Sequence, residues 1–183
     1  MIELRNLTVR FGYQTVFEDR SFELPDTGVV LITGESGIGK TTLLRILAGL
    51  LKPQKGSVSG LENRKISFVF QEPRLLEHMK TVDNVALVSD REKAEALLKR
   101  LNLGEFQEKK AKELSGGQKQ RVSLARAFAF SDDVVLLDEP FAGLDEQNKL
   151  RAADLIGTAR LAVVVTHDAG DAELLHADRK INL

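Results

Sequence analysis

Polar and apolar residues alternate along the first 24 positions. Leu7, Val9 and Phe11 fall on one side of an extended chain with Thr8 and Arg10 on the other, and Phe22 and Leu24 repeat the pattern before Pro25. The pattern predicts two antiparallel strands. It then changes: Val29-Val30-Leu31-Ile32 is a continuous apolar run, the mark of a strand covered on both faces, and it ends in a glycine-rich turn. Thr42 to Ala48 is helical in character and stops near Gly49. Lys65 to Phe70 reads as another strand, and Val134 to Leu137 and Leu161 to Val165 are short apolar runs of the kind buried in a parallel sheet. Between these runs, Ala94, Leu97, Leu98 and Leu101 recur at helical spacing with Gly104 as a stop, and a second helix begins at Ser115. The expectation is one α/β domain over residues 1–183. Its core, 1–71 and 131–183, has a mostly parallel sheet preceded by an antiparallel β subdomain, and 72–130 forms an inserted α-helical subdomain.

Composition narrows the classes. Hydrophobic residues make up 43% of the 183 and charged residues 29%, as in ordinary globular domains. With 26 basic and 27 acidic residues, the net charge of -1 supplies no bulk field to hold nucleic acid or an anionic membrane, so any bound anion must be held locally. The lack of cysteine removes disulfides, thiolate metal sites and a thiol nucleophile together, and suits a reducing, cytoplasmic compartment. Met1-Ile2-Glu3-Leu4-Arg5 alternates charge with apolar residues and contains no signal core. No stretch approaches the roughly 18 apolar residues that cross a bilayer. If the protein works at a membrane, a partner supplies the membrane.

The sharpest chemistry lies at Gly34-Glu35-Ser36-Gly37-Ile38-Gly39-Lys40-Thr41, which matches G-x-x-x-x-G-K-[ST] and sits after a buried strand and before a helix. Glycines there let successive N–H groups face an anion, the helix start adds positive potential, and the lysine reaches the outer phosphates. Thr41 then stands where it can ligate Mg²⁺. The same sequence could cap a helix and bind nothing, but strand and helix context favour the phosphate loop of a P-loop NTPase. Asp138 and Glu139 follow the run Val134-Val135-Leu136-Leu137, so two carboxylates emerge at the carboxyl end of a buried strand, where open α/β sheets bind ligands. Asp138 suits the metal, and Glu139 suits the attacking water. Thr166-His167-Asp168 adds a third polar element at that edge; His78 and His176 are read as structural.

Ser115 and Gln118 have the S-x-x-Q spacing of a capping box, followed by Val122, Ala125 and Ala129 as the buried face of the helix. Together with Leu114-Ser115-Gly116-Gly117-Gln118, these residues resemble the ATPase domains of ABC transporters in order and spacing. Gly34 to Thr42 resemble the Walker A loop, Gln71 the Q-loop glutamine, Val134 to Glu139 the Walker B strand with its catalytic glutamate, Gly143-Leu144-Asp145 the D-loop, and His167 the switch histidine. The resemblance implies ATP and Mg²⁺, with Thr41, Gln71 and Asp138 around the metal and Lys40, Gln71, Glu139 and His167 in catalysis. It also implies a head-to-tail homodimer in which Ser115, Gly116, Gly117 and Gln118 reach the γ-phosphate held by the other chain and Asp145 couples the two sites. Phe11, before Gly12, sits where that family stacks an aromatic ring on adenine. Tyr13 is the second candidate, and a place in the core is the competing reading of Phe11.

Phe68-Val69-Phe70-Gln71-Glu72-Pro73-Arg74-Leu75-Leu76, with Thr81 to Leu87, is similar to importer ATPases that serve nitrate, sulfonate and taurine permeases, although Glu77-His78 stands where those commonly have Pro-Trp. That likeness implies permease subunits on other chains, met at the inner face of the cell membrane through Glu72, Arg74 and Leu75, and a solute-binding protein; the compact spacing, with 43 residues between Gln71 and Ser115, suits a minimal subunit. Nucleic acid is not an expected partner. Two other functions stay open at this point: a soluble ABC ATPase uncoupled from transport, and an ATP-binding assembly switch without turnover.

Overall fold

The computed structural model describes residues 1–168 and 170–183. A hairpin opens the chain: β1 (Ile2–Phe11) and β2 (Gln14–Leu24) pair antiparallel around Gly12 and Tyr13, with Ile2 opposite Leu24 and Phe11 opposite Gln14. β3 (Gly28–Thr33) then leads through the glycine loop into α1 (Lys40–Leu47), which starts two residues earlier than Thr42. β4 (Lys55–Ser59) returns along the other edge of β1, with Val58 opposite Leu4, and makes the antiparallel sheet three-stranded in the order β2-β1-β4. β5 (Ile66–Val69) follows, then three helices: α2 (Thr81–Ala86), α3 (Arg91–Arg100) and α4 (Gly116–Phe130). The chain re-enters the sheet as β6 (Val134–Asp138), leaves through α5 (Glu146–Ile156), and ends in β7 (Leu161–Val165), α6 (Asp171–Leu174) and β8 (Arg179–Asn182).

The second sheet runs β5-β6-β7-β3-β8, every pair parallel. All residues of β6 and β7 are buried, which is why those segments read as uninterrupted apolar runs: helices or a second sheet cover both faces. Side-chain alternation divides them between two cores. Val30, Ile32, Leu136 and Val163 point toward α1 and the antiparallel sheet, where Phe17 and Phe22 meet edge to face at 5.7 Å. Val29, Leu31, Val135, Leu137 and Val164 point toward the helices, and α4 contributes Val122, Ala125 and Ala129 to that core, the face its periodicity predicts. Ser67 in β5 fastens the end of α4, its hydroxyl lying 2.9 Å from the Ala127 carbonyl and 2.7 Å from that of Ser131. Among the described residues no helix is long and apolar enough to cross a membrane.

Strand order decides the site. In sequence the strands run β3, β5, β6, β7, but in space they lie as β5-β6-β7-β3. Because all are parallel, their carboxyl ends bring Gln71, Glu139, His167 and the glycine loop to one edge of the sheet.

Candidate active site

The loop after β3 curls because three of its residues take backbone angles that L side chains disfavour: φ is 145° at Gly34, 80° at Gly37 and 116° at Gly39. Gly39 is constrained twice. A Cβ there would also lie 2.6 Å from Val16 Cγ1 and 2.9 Å from Phe17 Cζ, so the loop is pressed onto β2. No acidic residue occupies the first turn of α1, and its N–H groups keep their positive potential toward the loop. Lys40 is buried, and its ammonium donates to the carbonyls of Gly34 at 2.8 Å and Glu35 at 2.9 Å, drawing the loop around itself.

Thr41 donates through Oγ1 to Asp138 Oδ2 at 2.8 Å, joining the start of α1 to the end of β6. Burial pushes the Asp138 carboxyl above the usual carboxylate range; the Thr41 hydroxyl opposes the shift, and the neighbouring Glu139 charge adds to it. The positive charges of Arg45 and Lys40 offset only part of the rise, and a bound divalent cation would relieve the rest. Among the described residues no three acidic or histidine side chains cluster as a metal cage. The paired hydroxyl and carboxylate of Thr41 and Asp138 fit Mg²⁺, which takes few protein ligands beside phosphate oxygens and water.

Glu139 adopts a left-handed backbone (φ 51°), unusual for a residue with a side chain, and its N–H donates to the Val165 carbonyl at 2.9 Å. That turn sends its carboxylate toward β7, where Oε1 lies 3.0 Å from Nδ1 of His167. The imidazole is 82% exposed on its side chain, and hydrogen bonding to Glu139 raises its pKa above the ordinary 6.5. The turn carrying His167 is anchored beneath it: the Thr166 hydroxyl bonds the buried Asp171 carboxylate and accepts from the N–H of Asp168.

A cleft of about 220 Å³ opens between these elements, lined by Ser36, Gly37, Gly39, Lys40, Thr41, Thr42, Gln71, Asp138 and Glu139. Two depressions elsewhere, of about 550 and 660 Å³, are larger but gather neither a phosphate loop nor this carboxylate pair, so volume does not identify the site. Gly34, Glu35 and Ile38 are not in the cleft lining, and Ile38 faces a separate depression beside β2. Phe11 is 49% exposed at the hairpin tip, which excludes the core reading, while Tyr13 projects fully into solvent. Ser115, Gly116, Gly117, Gln118 and Asp145 also stand outside this cleft.

Those outlying residues form a second constellation. Ser115 and Gln118 make the capping box in full, the Ser115 N–H donating to Gln118 Oε1 at 2.9 Å and the Gln118 N–H to Ser115 Oγ at 3.3 Å. Gly117 backs directly onto the carbonyl of Gly143, leaving no room for a Cβ. Two residues that sequence reasoning passed over tie this turn to Asp145. Arg121, buried in α4, donates to Asn148 Oδ1 at 2.9 Å, and Asn148 donates to both oxygens of Asp145. Gln120, also buried, reaches from α4 to the Glu139 carbonyl at 3.4 Å. A clue was present for Arg121, which sits at the edge of the stripe formed by Val122, Ala125 and Ala129, where burial of a polar group demands partners; Gln120 falls on the other side of the helix from that stripe and carries no such signal.

The ABC transporter family profile matches residues 17–142, well over half of the chain, taking in the glycine loop, Gln71, Ser115 to Gln118 and both carboxylates. The chain belongs to the ABC transporter family. This ABC ATPase is 40% identical over 196 residues to the aliphatic sulfonates import ATP-binding protein SsuB of Zymomonas mobilis, covering 100% of the present chain and 81% of that protein. It is 36% identical over 198 residues to the sulfate/thiosulfate import ATP-binding protein CysA of Yersinia pseudotuberculosis, covering 93% of the present chain and 54% of the other. Among solved structures, the dimeric post-hydrolysis state of the ATP-binding cassette MJ0796 bound to ADP and Pi superposes with a TM-score of 0.88 at 30% identity, covering 100% of this chain and 94% of that one. The ABC ATPase fold expected from the sequence is therefore present along the whole length.

Proposed function

We propose that this chain binds MgATP, hydrolyses it as a head-to-tail homodimer, and powers solute import by a separate membrane permease at the inner face of the membrane. The observation that carries the reading is the convergence of Lys40, Thr41, Gln71, Asp138 and Glu139 on one cleft, with His167 held 3.0 Å from Glu139. Gly34 to Thr42 wrap the phosphates with backbone N–H groups, and Lys40 exchanges its loop carbonyls for phosphate oxygens. Thr41, Asp138 and Gln71 would hold Mg²⁺, which would supply charge neutralisation at the phosphates. Glu139 takes the proton from a water attacking the γ-phosphorus, the bond to the bridging oxygen breaks, and ADP and phosphate result. His167 steadies Glu139 from the far side and reaches the γ-phosphate. The half-exposed ring of Phe11 stacks on adenine.

Ser115, Gly116, Gly117 and Gln118 complete the nucleotide site of the partner chain, which accounts for their place outside their own chain's cleft, and Asp145 couples the two sites. In the same reading 1–71 and 131–183 act as the nucleotide-binding core and 72–130 as a helical subdomain carrying this turn. Importer function rests on the relatives named above. The permease contact falls at Glu72, Arg74 and Leu75, where the exposed Arg74 guanidinium lies 3.9 Å from the Phe70 ring centre, and a solute-binding protein delivers cargo to the permease. The paired Glu139 and His167 favour turnover over a binding-only switch.

Phosphate release measured against protein concentration tests the proposal. Turnover should rise faster than linearly, and Glu139→Gln should lower it by about 100-fold or more while leaving an ATP-stabilised dimer on size exclusion. A Glu139→Gln protein that hydrolyses like the parent would refute the assigned base.

A further inference from the structure

The turn at Ser115 and the turn at Asp145 are 30 residues apart in sequence yet joined through a chain of hydrogen bonds whose central link, Arg121 to Asn148, is buried. The Arg121 guanidinium has four acceptors: the Leu101 carbonyl at 2.7 Å, the Asn102 carbonyl at 3.1 Å, Asn148 Oδ1 at 2.9 Å and, through Nε, the Gly117 carbonyl at 3.3 Å. One planar group thus fastens the end of α3, the first turn of α4 and the first turn of α5. Asn148 carries the connection on. Its backbone N–H donates to Asp145 Oδ1 at 2.8 Å as the cap of α5, and its side-chain amide donates to Asp145 Oδ2 at 2.9 Å. Both carboxylate oxygens are held by one residue, which is itself held by Arg121. Gly117 against the Gly143 carbonyl closes the assembly from the other side.

We infer that Arg121 and Asn148 are positioning residues that lock the Ser115–Gln118 turn to Asp145, so that both act across the dimer interface as one rigid piece. The inference rests on the proposed dimeric ATPase. Engagement of one nucleotide by Ser115 and its neighbours then shifts Asp145 in the same movement, and the amide of Asn148 is the joint. Asn148 lies outside the cleft that holds Lys40 and Thr41, so severing the joint leaves nucleotide capture by a single chain intact.

Asn148→Ala keeps the backbone N–H that caps α5 and deletes only the amide. Asn148→Asp keeps an acceptor for Arg121 but turns the donor facing Asp145 into a like charge. Turnover against ATP concentration, titration of monomer with a fluorescent ATP analogue, and thermal melting are compared with the parent. Both variants should lose about tenfold in kcat, with the Hill coefficient falling toward one and monomer affinity unchanged within about twofold. Parent-like kcat and Hill coefficient in folded Asn148→Ala overturn the inference. So does a lowered melting temperature with unchanged kcat per folded molecule, the mark of a purely structural bond. A parent that neither dimerises with ATP nor turns over would instead overturn the dimeric reading, whatever the variants do.

Discussion

Gly117→Ala offers a sharp test of how closely the turn at Ser115 is seated against the turn at Gly143. A Cβ at Gly117 would come inside 3.0 Å of the Gly143 carbonyl oxygen, and would lie 3.3 Å from its carbon and 3.4 Å from Leu144 Cδ2. The obstacle is backbone, so it cannot rotate away. Overpacking of this kind costs about 1–3 kcal/mol. The substitution also adds a better helix former in the first turn of α4, worth up to about 1 kcal/mol in the opposite sense. Taking the middle of each range, about 2 less about 0.5, a net loss of about 1.5 kcal/mol remains, which lowers the melting temperature of a chain this size by roughly 3–6 °C. Gly116→Ala is the control: the same chemical change one residue earlier, where a Cβ meets nothing within 4 Å. It should melt at or slightly above the parent. Thermal melting by circular dichroism, without nucleotide, reads both. If Gly117→Ala melts with Gly116→Ala, the two turns are not in rigid contact and the expected overpacking is refuted.

Two further outcomes follow from the charges in the cleft. His167, raised above 6.5 by Glu139, contributes stability below that pH and loses it as pH rises through the raised value; in Glu139→Gln its NMR titration midpoint should fall back toward 6.5, and an unmoved midpoint would deny the pairing. Asp138, raised by burial, disfavours the folded chain once it ionises, so its stabilising protonated form is lost as pH climbs from 3.8 through the raised value. Without nucleotide or Mg²⁺, Asp138→Asn should therefore melt higher than the parent at pH 7, with the gap closing on acidification, while MgATP hydrolysis falls. A variant that melts lower at neutral pH would refute this.

Features written in contiguous residues were legible in the amino-acid sequence alone. The glycine loop needs only local backbone freedom, and the capping box pairs Ser115 with a residue three positions on. β3, β6 and β7 announce themselves because strands buried on both faces carry apolar residues without interruption. β4 and β8 escaped notice because Lys55–Ser59 and Arg179–Asn182 are mostly exposed and polar; their strand character comes from hydrogen bonds to β1 and β3, which no short window contains. Phe11 continues the alternation of Leu7 and Val9 in sequence, but register shifts in β1 and its place at the hairpin tip put the ring outside the core.

Residue types and local geometry, then, were encoded in the order of amino acids: a loop able to hold phosphate, acids at a strand end, a capped helix. Their arrangement was not. Strand order alone sets Gln71, Glu139 and His167 beside the loop, and it depends on which strands pair at long range. Arg121 and Asn148 gain their meaning only when α4 and α5 pack together, because a buried guanidinium must find its acceptors wherever the fold presents them. Local propensity acts over a few residues, whereas the bonds that align this site join segments separated by tens of residues.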